Sequence, residues 1–204
     1  VFQGLLRQGD HIISSRFLFG NTNSVWQTCA EQGITLSLVD ATKVEDIEAA
    51  ITPATRMVFV ETIANPRTQI ADLKRIGELC QQRGILYVVD NTMTSPYLFR
   101  PKAVGAGLVV NSLTKSIAGH GNVLGGTLTD TGLFDWASYP HIAPNFRKLA
   151  SSQQGIAHLR AKALRDFGAS ISPEAAHQVA VGAETLALRM QRESENALEL
   201  ARLL

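Results

Sequence analysis

Val109–Gly126 reads VVNSLTKSIAGHGNVLGG. The apolar run Leu108-Val109-Val110 has the composition of a buried strand. It discharges into Ser112-Leu113-Thr114-Lys115-Ser116, a lysine among hydroxyls, and then into the glycine-rich turn Gly119-His120-Gly121. A lysine at the mouth of a buried strand is costly unless it is solvated, paired or covalently engaged. The flanking hydroxyls are donors for an anionic group held over it. A Schiff base between the amine and an aldehyde cofactor that carries a phosphate uses such an arrangement. A lone lysine past a strand is otherwise an exposed surface amine, so the reading depends on partners elsewhere in the chain.

Upstream, the apolar run Ile85–Val89 is a second strand with Asp90-Asn91-Thr92 at its carboxyl end. A third, Met57–Ile63 (MVFVETI), is apolar for four residues and runs into the turn signal Ala64-Asn65-Pro66. Between these two, Ile70, Leu73, Ile76 and Cys80 recur at helical spacing, with Arg83-Gly84 as the stop. His11–Ser15 and Ile34–Asp40 supply further strands. The spacing predicts a helix from about Ser24 to Gln32, capped by Asn21, Thr22 or Asn23 and ended by Gly33. Val44–Ile51 reads as an acidic amphipathic turn pattern ended by Pro53. Downstream come a short strand at Thr127–Thr129, a loop from Tyr139 to Asn145 and a helix over Arg160–Asp166. The longest helical pattern is Glu184–Leu204, with Leu186, Met190, Ala197, Ala201 and Leu204 along one stripe. The Arg189/Arg192/Glu193/Glu195 run reads as its solvated face.

Near-continuous apolar strands alternating with helices predict an α/β fold with a mostly parallel sheet. Ligands in such sheets sit outside the carboxyl ends of the strands. Asn65, Asp90 and the Ser112–Lys115 group all fall just past such ends. A pyridine-aldehyde cofactor requires an amine for its aldehyde, a carboxylate for its ring nitrogen and donors for its phosphate. Lys115, Asp90, and Ser112 with Thr114 supply these, and Asn65 is placed to donate to a phenolate oxygen. Taken singly, Asp90 reads as a cap or turn former, and Ser112 and Thr114 as local backbone partners.

The totals bound the rest. With 204 residues, 45% of them hydrophobic, the chain can bury a full core, and its formal charge of +1 carries no electrostatic footprint for nucleic acid. Cys29 and Cys80 have no CxxC spacing and are expected as reduced, buried thiols. No run of about 18 apolar residues is available to span a membrane, and there is no signal-peptide pattern. The chain opens at Val1-Phe2-Gln3-Gly4-Leu5-Leu6 without an initiator methionine and closes on Ala201-Arg202-Leu203-Leu204 inside a helical pattern, so both ends read as internal to a longer sequence.

The matching pieces Val88-Val89-Asp90-Asn91-Thr92, Ser95-Pro96-Tyr97, Ser112-Leu113-Thr114-Lys115, Gly119-His120 and Gly125-Gly126 resemble the Cys/Met metabolism family of pyridoxal-phosphate enzymes. The resemblance extends outward over Leu5-Leu6 to Gly9-Asp10, Thr52–Arg56, Glu61–Pro66 (ETIANP), Leu188-Arg189-Met190 and Asn196-Ala197. It implies the large domain of a fold type I enzyme: a three-layer, mostly parallel sheet flanked by helices. Residues 1–182 would form most of that cofactor domain, and 183–204 a long helix leading toward a further domain. It also implies pyridoxal 5'-phosphate on Lys115, with Asp90 on the pyridine nitrogen, Asn65 on the phenolate oxygen and Ser112 and Thr114 on the phosphate. Phe19 falls where the family usually carries a cofactor-stacking tyrosine with acid/base duty. Gly107, Asn111 and Ser116 depart from the usual acidic residue, histidine and aromatic residue.

The implied activity is γ-replacement or γ-elimination on O-acylhomoserine or sulfur amino acids. Its partners would be an amino-acid substrate and a thiol or sulfide. The implied setting is a cytoplasmic homo-oligomer, a dimer of dimers, with no nucleic-acid or membrane partner. Two competing readings stand beside it: a non-catalytic relative that retains only fold and interaction surface, and a cofactor-free Schiff-base aldolase. Gly105-Ala106-Gly107 is set aside as a dinucleotide fingerprint because it precedes a strand. The five histidines lack metal-ligand spacing, so no metal is expected. Of these, His120 sits nearest the lysine and reads as a turn former. Trp26 and Trp136 read as packing residues.

Overall fold

The structure, a computed structural model, describes residues 1–204. Six strands form one sheet in the order β2-β1-β3-β4-β5-β6. They are β1 (His11–Ser15), β2 (Thr35–Val39), β3 (Thr55–Glu61), β4 (Leu86–Asp90), β5 (Leu108–Ser112) and β6 (Gly126–Asp130). The first five run parallel, and β6 pairs antiparallel with β5 along one edge. The helices are α1 (Phe2–Leu5), α2 (Gly20–Glu31), α3 (Val44–Ala50), α4 (Leu73–Arg83), α5 (Ser95–Leu98), α6 (Ser151–Leu159), α7 (Pro173–Ala183) and α8 (Leu186–Leu203). The α/β class predicted from the alternation of apolar runs and helical patterns is the one found.

Parallel strands are covered on both faces, so nearly every position must be apolar, and the pleat sends alternate residues to opposite cores. Ile12, Met57, Phe59, Leu86, Val88 and Leu108 face one core, closed by Leu5 of α1, Trp26 and Cys29 of α2 and Leu159 of α6. Ile13, Val58, Val60, Tyr87, Val89 and Val109 face the other, closed by Val44 and Ile47 of α3 and Ile76, Leu79 and Cys80 of α4. This gives the three layers. Helix α4 starts where Asp72 accepts the Arg75 N–H and stops at Gly84, whose φ of 64° suits glycine. Both cysteines are free and buried, and burial pushes the Cys80 thiol up to about 12. Trp26 and Trp136 are fully packed. No helix is long and apolar enough to cross a membrane.

Four expectations are corrected. Helix α2 begins at Gly20, ahead of Ser24, and Phe19 occupies its N-cap with no side-chain cap. Helices α6 and α7 occupy stretches where no helix was expected. Ser151-Ser152-Gln153-Gln154-Gly155 has no apolar period, yet Gln154, Gly155 and His158 are buried. The apolar stripe on the last helix is not a packed seam: Met190 is 4% exposed, whereas Leu204 is 98% exposed, so α8 docks near its start. Finally, Arg189 is not solvated, because its guanidinium donates to main-chain carbonyls of Ser116 and Gly182.

His158 joins α6 to the chain start. The Ala143 N–H donates to Nδ1 (3.1 Å), which leaves Nε2–H to donate to the Gly4 carbonyl (2.8 Å). Burial lowers its pKa, opposed by the bond to the Gly4 carbonyl. His11, held between Thr55 and Ser37 hydroxyls, is lowered by burial in the same direction. A histidine whose native pKa lies below its unfolded value contributes stability that is fully present above about pH 6.5 and is lost as pH falls from there through the lower native value. The urea midpoint should therefore drop between roughly pH 7.5 and pH 5.5. His158→Gln should lower the midpoint at the upper pH and flatten the pH slope, leaving only the His11 share.

Candidate active site

Strand register builds the site. Glu61 pairs with Asp90, and Asp90 with Val110, so these three positions share one face. Each strand reads apolar, apolar, polar along that face: Met57-Phe59-Glu61, Leu86-Val88-Asp90 and Leu108-Val110-Ser112. The core runs out at the carboxyl ends and polar side chains take over at one rim. Beside it, β1 is flanked by β2 and β3, where the order of connection reverses. Such a switch point opens a crevice for ligands.

A cleft of about 440 Å³ opens there, lined by Phe19, Glu61, Asn65, Asp90, Ser112 and Lys115 among others. Five of the six residues singled out from sequence therefore meet in one place. Thr114 is not on the cleft wall. Its hydroxyl accepts the Gly125 N–H (3.1 Å) and donates to the Gly125 carbonyl (3.3 Å), closing the lysine turn onto the glycine pair. His120 donates from Nδ1 to the Ala118 carbonyl at 2.6 Å, a bond within the turn.

Among the cleft residues not singled out as site residues, Glu61, Thr92 and Glu193 bear most on its geometry. Glu61 is buried, and its carboxylate accepts the Phe19 N–H (2.7 Å) and the Asn65 N–H (3.0 Å). It thus ties the loop after β1 to the turn after β3. Burial raises its pKa, the two hydrogen bonds oppose the rise, and the Asp90 charge adds to it. The signal was available as the polar third residue of the period-two pattern. Thr92 donates its N–H to Asp90 Oδ1 (2.9 Å), and its hydroxyl accepts the Ser112 N–H (2.8 Å), locking the ends of β4 and β5 together. Glu193 reaches the cleft from α8, which no local pattern signals.

Burial likewise raises the Asp90 carboxyl from its ordinary value, the hydrogen bonds from Thr92 oppose the rise, and no cation acts on it. A half-buried carboxylate that forms no ion pair, on the same cleft as a lysine, suits a ligand that presents a cationic atom to it. A ring that brings a protonated nitrogen to Asp90 and an aldehyde to Lys115 matches it, and the Ser112 hydroxyl offers a donor for a phosphate. The donor set therefore fits pyridoxal phosphate. Together, the fold and this donor set define a lysine-centred cofactor domain of the α/β class.

The chain belongs to the Cys/Met metabolism PLP-dependent enzyme family, whose model matches residues 1–204. It is 36% identical to homocysteine/cysteine synthase of Saccharomyces cerevisiae over 216 residues, spanning 99% of this chain and 49% of that protein. The chain thus covers about half the length of this curated relative. Among solved structures it is similar to O-acetylhomoserine sulfhydrylase of Wolinella succinogenes, with a TM-score of 0.91 and 38% identity over 99% of this chain and 58% of that one. It is also similar to a Campylobacter jejuni protein described as an O-acetylhomoserine (thiol)-lyase, with a TM-score of 0.87 and 29% identity. That match covers 98% of this chain and 53% of that one, and the solved structure carries a pyridoxyl-lysine monophosphate.

The raised Asp90 carboxyl yields a prediction with opposite signs for stability and binding. A carboxylate whose native pKa exceeds its unfolded one costs stability at neutral pH, and the cost fades as pH falls into the carboxylate range. Asp90→Asn, which keeps an acceptor for Thr92, should raise the cofactor-free urea midpoint near pH 7 and lose that advantage toward about pH 4. The same variant should weaken pyridoxal-phosphate binding by about tenfold or more, as expected for the loss of one charged hydrogen bond.

Proposed function

We propose that the protein performs γ-replacement on an O-acylhomoserine, with sulfide or a thiol as the incoming nucleophile, and γ-elimination as a side branch. The observation that carries this reading is the Lys115 amine and the cation-free Asp90 carboxylate on one cleft, in a family whose members use pyridoxal phosphate. The relatives described as homocysteine/cysteine synthase and O-acetylhomoserine sulfhydrylase support the choice of substrate. In the replacement, the Cγ–O bond breaks, a Cγ–S bond forms, and the acyl group leaves as its carboxylic acid. The bound cofactor supplies an electron sink for the bond broken at the substrate's α-carbon.

The chain's own residues divide the remaining work. Lys115 Nζ holds the cofactor, takes the α-proton once the substrate has displaced it, and returns protons along the Cα–Cβ axis. Asp90 keeps the ring nitrogen protonated. Asn65, whose N–H is fixed by Glu61, donates to the phenolate oxygen from its side chain. Ser112 binds the phosphate, and Thr114 supports that wall by holding Gly125. Phe19, half exposed at the cleft mouth, covers one face of the ring as an apolar plate. It brings no hydroxyl, so leaving-group protonation falls to Lys115 or to water.

We further propose that the protein works in the cytoplasm as a homo-oligomer, a dimer of dimers. The buried, reduced thiols support the compartment. Phe19 and Met93, exposed at 44% and 45% on the same cleft, support a neighbour across its mouth. The reading of a fold-only relative is disfavoured by the intact Lys115–Asp90 pair.

Full-length protein with added pyridoxal phosphate should absorb near the visible edge, and borohydride should bleach the band and leave a pyridoxyl group on Lys115. Lys115→Ala should abolish the band and the formation of homocysteine from O-acetylhomoserine and sulfide. Absence of the band in wild type would leave the fold-only relative standing, and trapping only with substrate present would point to an aldolase. Phe19→Tyr should raise kcat, by on the order of tenfold, with cofactor affinity little changed.

A further inference from the structure

The turn that carries Lys115 is short of main-chain partners. Leu113–Ile117 is a single π-helical turn in which Lys115 itself leaves helical geometry (φ −90°, ψ −133°). The Ala118 N–H closes onto the Leu113 carbonyl at 3.0 Å, and the Gly119 N–H onto the Lys115 carbonyl at 2.8 Å. Gly119 then turns the chain at φ +74°, which ends the helix. The carbonyls of Ser116 and Ile117, the two residues directly after the lysine, face α8 and the end of α7.

Arg189 meets them there. Its Nη1 donates to the Ser116 carbonyl at 2.6 Å, and Nη2 to the Gly182 carbonyl at 2.8 Å and to the Ile117 carbonyl at 3.4 Å. Its Nε donates to the Thr185 hydroxyl at 3.0 Å. One planar fork therefore joins the lysine turn to the α7–α8 junction. A guanidinium can do this because its donors lie in fixed directions, which a lysine ammonium cannot match. The approach is close from both sides. A Cβ on Gly119 would lie 2.4 Å from the Arg189 guanidinium carbon, and a Cβ on Gly182 would lie 2.0 Å from the Ala118 carbonyl oxygen. No carboxylate pairs with Arg189, so its partners are carbonyl dipoles and one hydroxyl.

Resting on the cofactor reading of Lys115, we infer that Arg189 is a positioning residue for the reaction. It fixes the backbone of Ser116 and Ile117, and so the Cα of Lys115 and the aim of its amine across the cleft toward Asp90. Since the amine must both bond the cofactor and carry protons, a displacement of its stem should affect attachment and turnover more than substrate binding.

The test uses the full-length protein, with pyridoxal 5'-phosphate and borohydride as probes. Arg189→Gln removes the charge and half the fork, Arg189→Lys keeps the charge without the fork, and Thr185→Val releases Nε together with the hydroxyl's own bond to the Gly182 carbonyl, leaving both Nη groups engaged. Expected for both Arg189 variants is a fall of about tenfold or more in the rate of borohydride-trapped attachment at Lys115 and in kcat, with KM within about threefold. Thr185→Val should lie between them and wild type, and it keeps the test decisive if Arg189→Gln fails to fold. Wild-type attachment rate and kcat in folded Arg189→Gln and Arg189→Lys would overturn the inference. So would losses that track only the unfolded fraction measured by near-ultraviolet circular dichroism. Should wild type itself show no attachment at Lys115, the cofactor reading fails along with it. Normal wild-type attachment with indifferent variants would sink the positioning role alone.

Discussion

Strand register is the constraint on which the site depends. Because β3, β4 and β5 are parallel and pair Glu61 with Asp90 and Asp90 with Val110, their carboxyl ends reach the same rim on the same face. A slip of one residue would send Asp90 into the opposite core and bring Val89 to the cleft. Apolar burial on both faces excludes that slip: Val88 and Val89 are each fully buried against different partners. The hydrophobic effect thus holds the sheet in the one register that also assembles the chemistry.

The rim carries an electrostatic cost. Glu61 and Asp90 are both raised by burial, and the charge on Asp90 adds to the rise on Glu61. Their means of support differ. Glu61 accepts two main-chain N–H groups and is a structural anion, stabilised by the bonds that fix Phe19 and Asn65. Asp90 receives one N–H from Thr92 and no cation. One carboxylate is held by two main-chain donors and the other by one, although both sit at equivalent strand ends.

The strands, the parallel class and the rim were legible because each rests on local composition: continuous apolar runs, a glycine stop at Gly84, and polar residues directly after strand ends. That Lys115, Asp90, Asn65, Ser112 and Phe19 meet on one cleft was legible for the same reason. What escaped was set by tertiary partners. Helix α2 starts early because Glu61, from another strand, takes the Phe19 N–H. Helix α6 carries no apolar period because it buries through Gln154, Gly155 and His158, each held by packing or by remote main-chain groups. Thr114 reads from sequence as a phosphate donor or a local backbone partner, and nothing local announces that the backbone it meets is that of Gly125. Arg189 read as solvated because it sits in a charged run, and two of its acceptors, the Ser116 and Ile117 carbonyls, lie far upstream in the sequence.

Helix α8 shows how little of an element needs to pack in order to matter. Its first turns hold Met190 in the core and bring Arg189 onto the lysine turn, while Leu198, Leu200 and Leu203 farther along are exposed. The same first turns place Glu193 on the cleft. The lysine turn is therefore supported from two directions by unlike means. In front, the Thr92 hydroxyl fixes Ser112 at the strand end, which sets where the turn begins. Behind, the guanidinium fixes Ser116 and Ile117, which sets where it leads. Between these anchors Lys115 is exposed to the cleft and free at its amine. The role proposed for Lys115, to bond, release and move protons, requires a rigid stem and an unencumbered tip, and this division of support is suited to both.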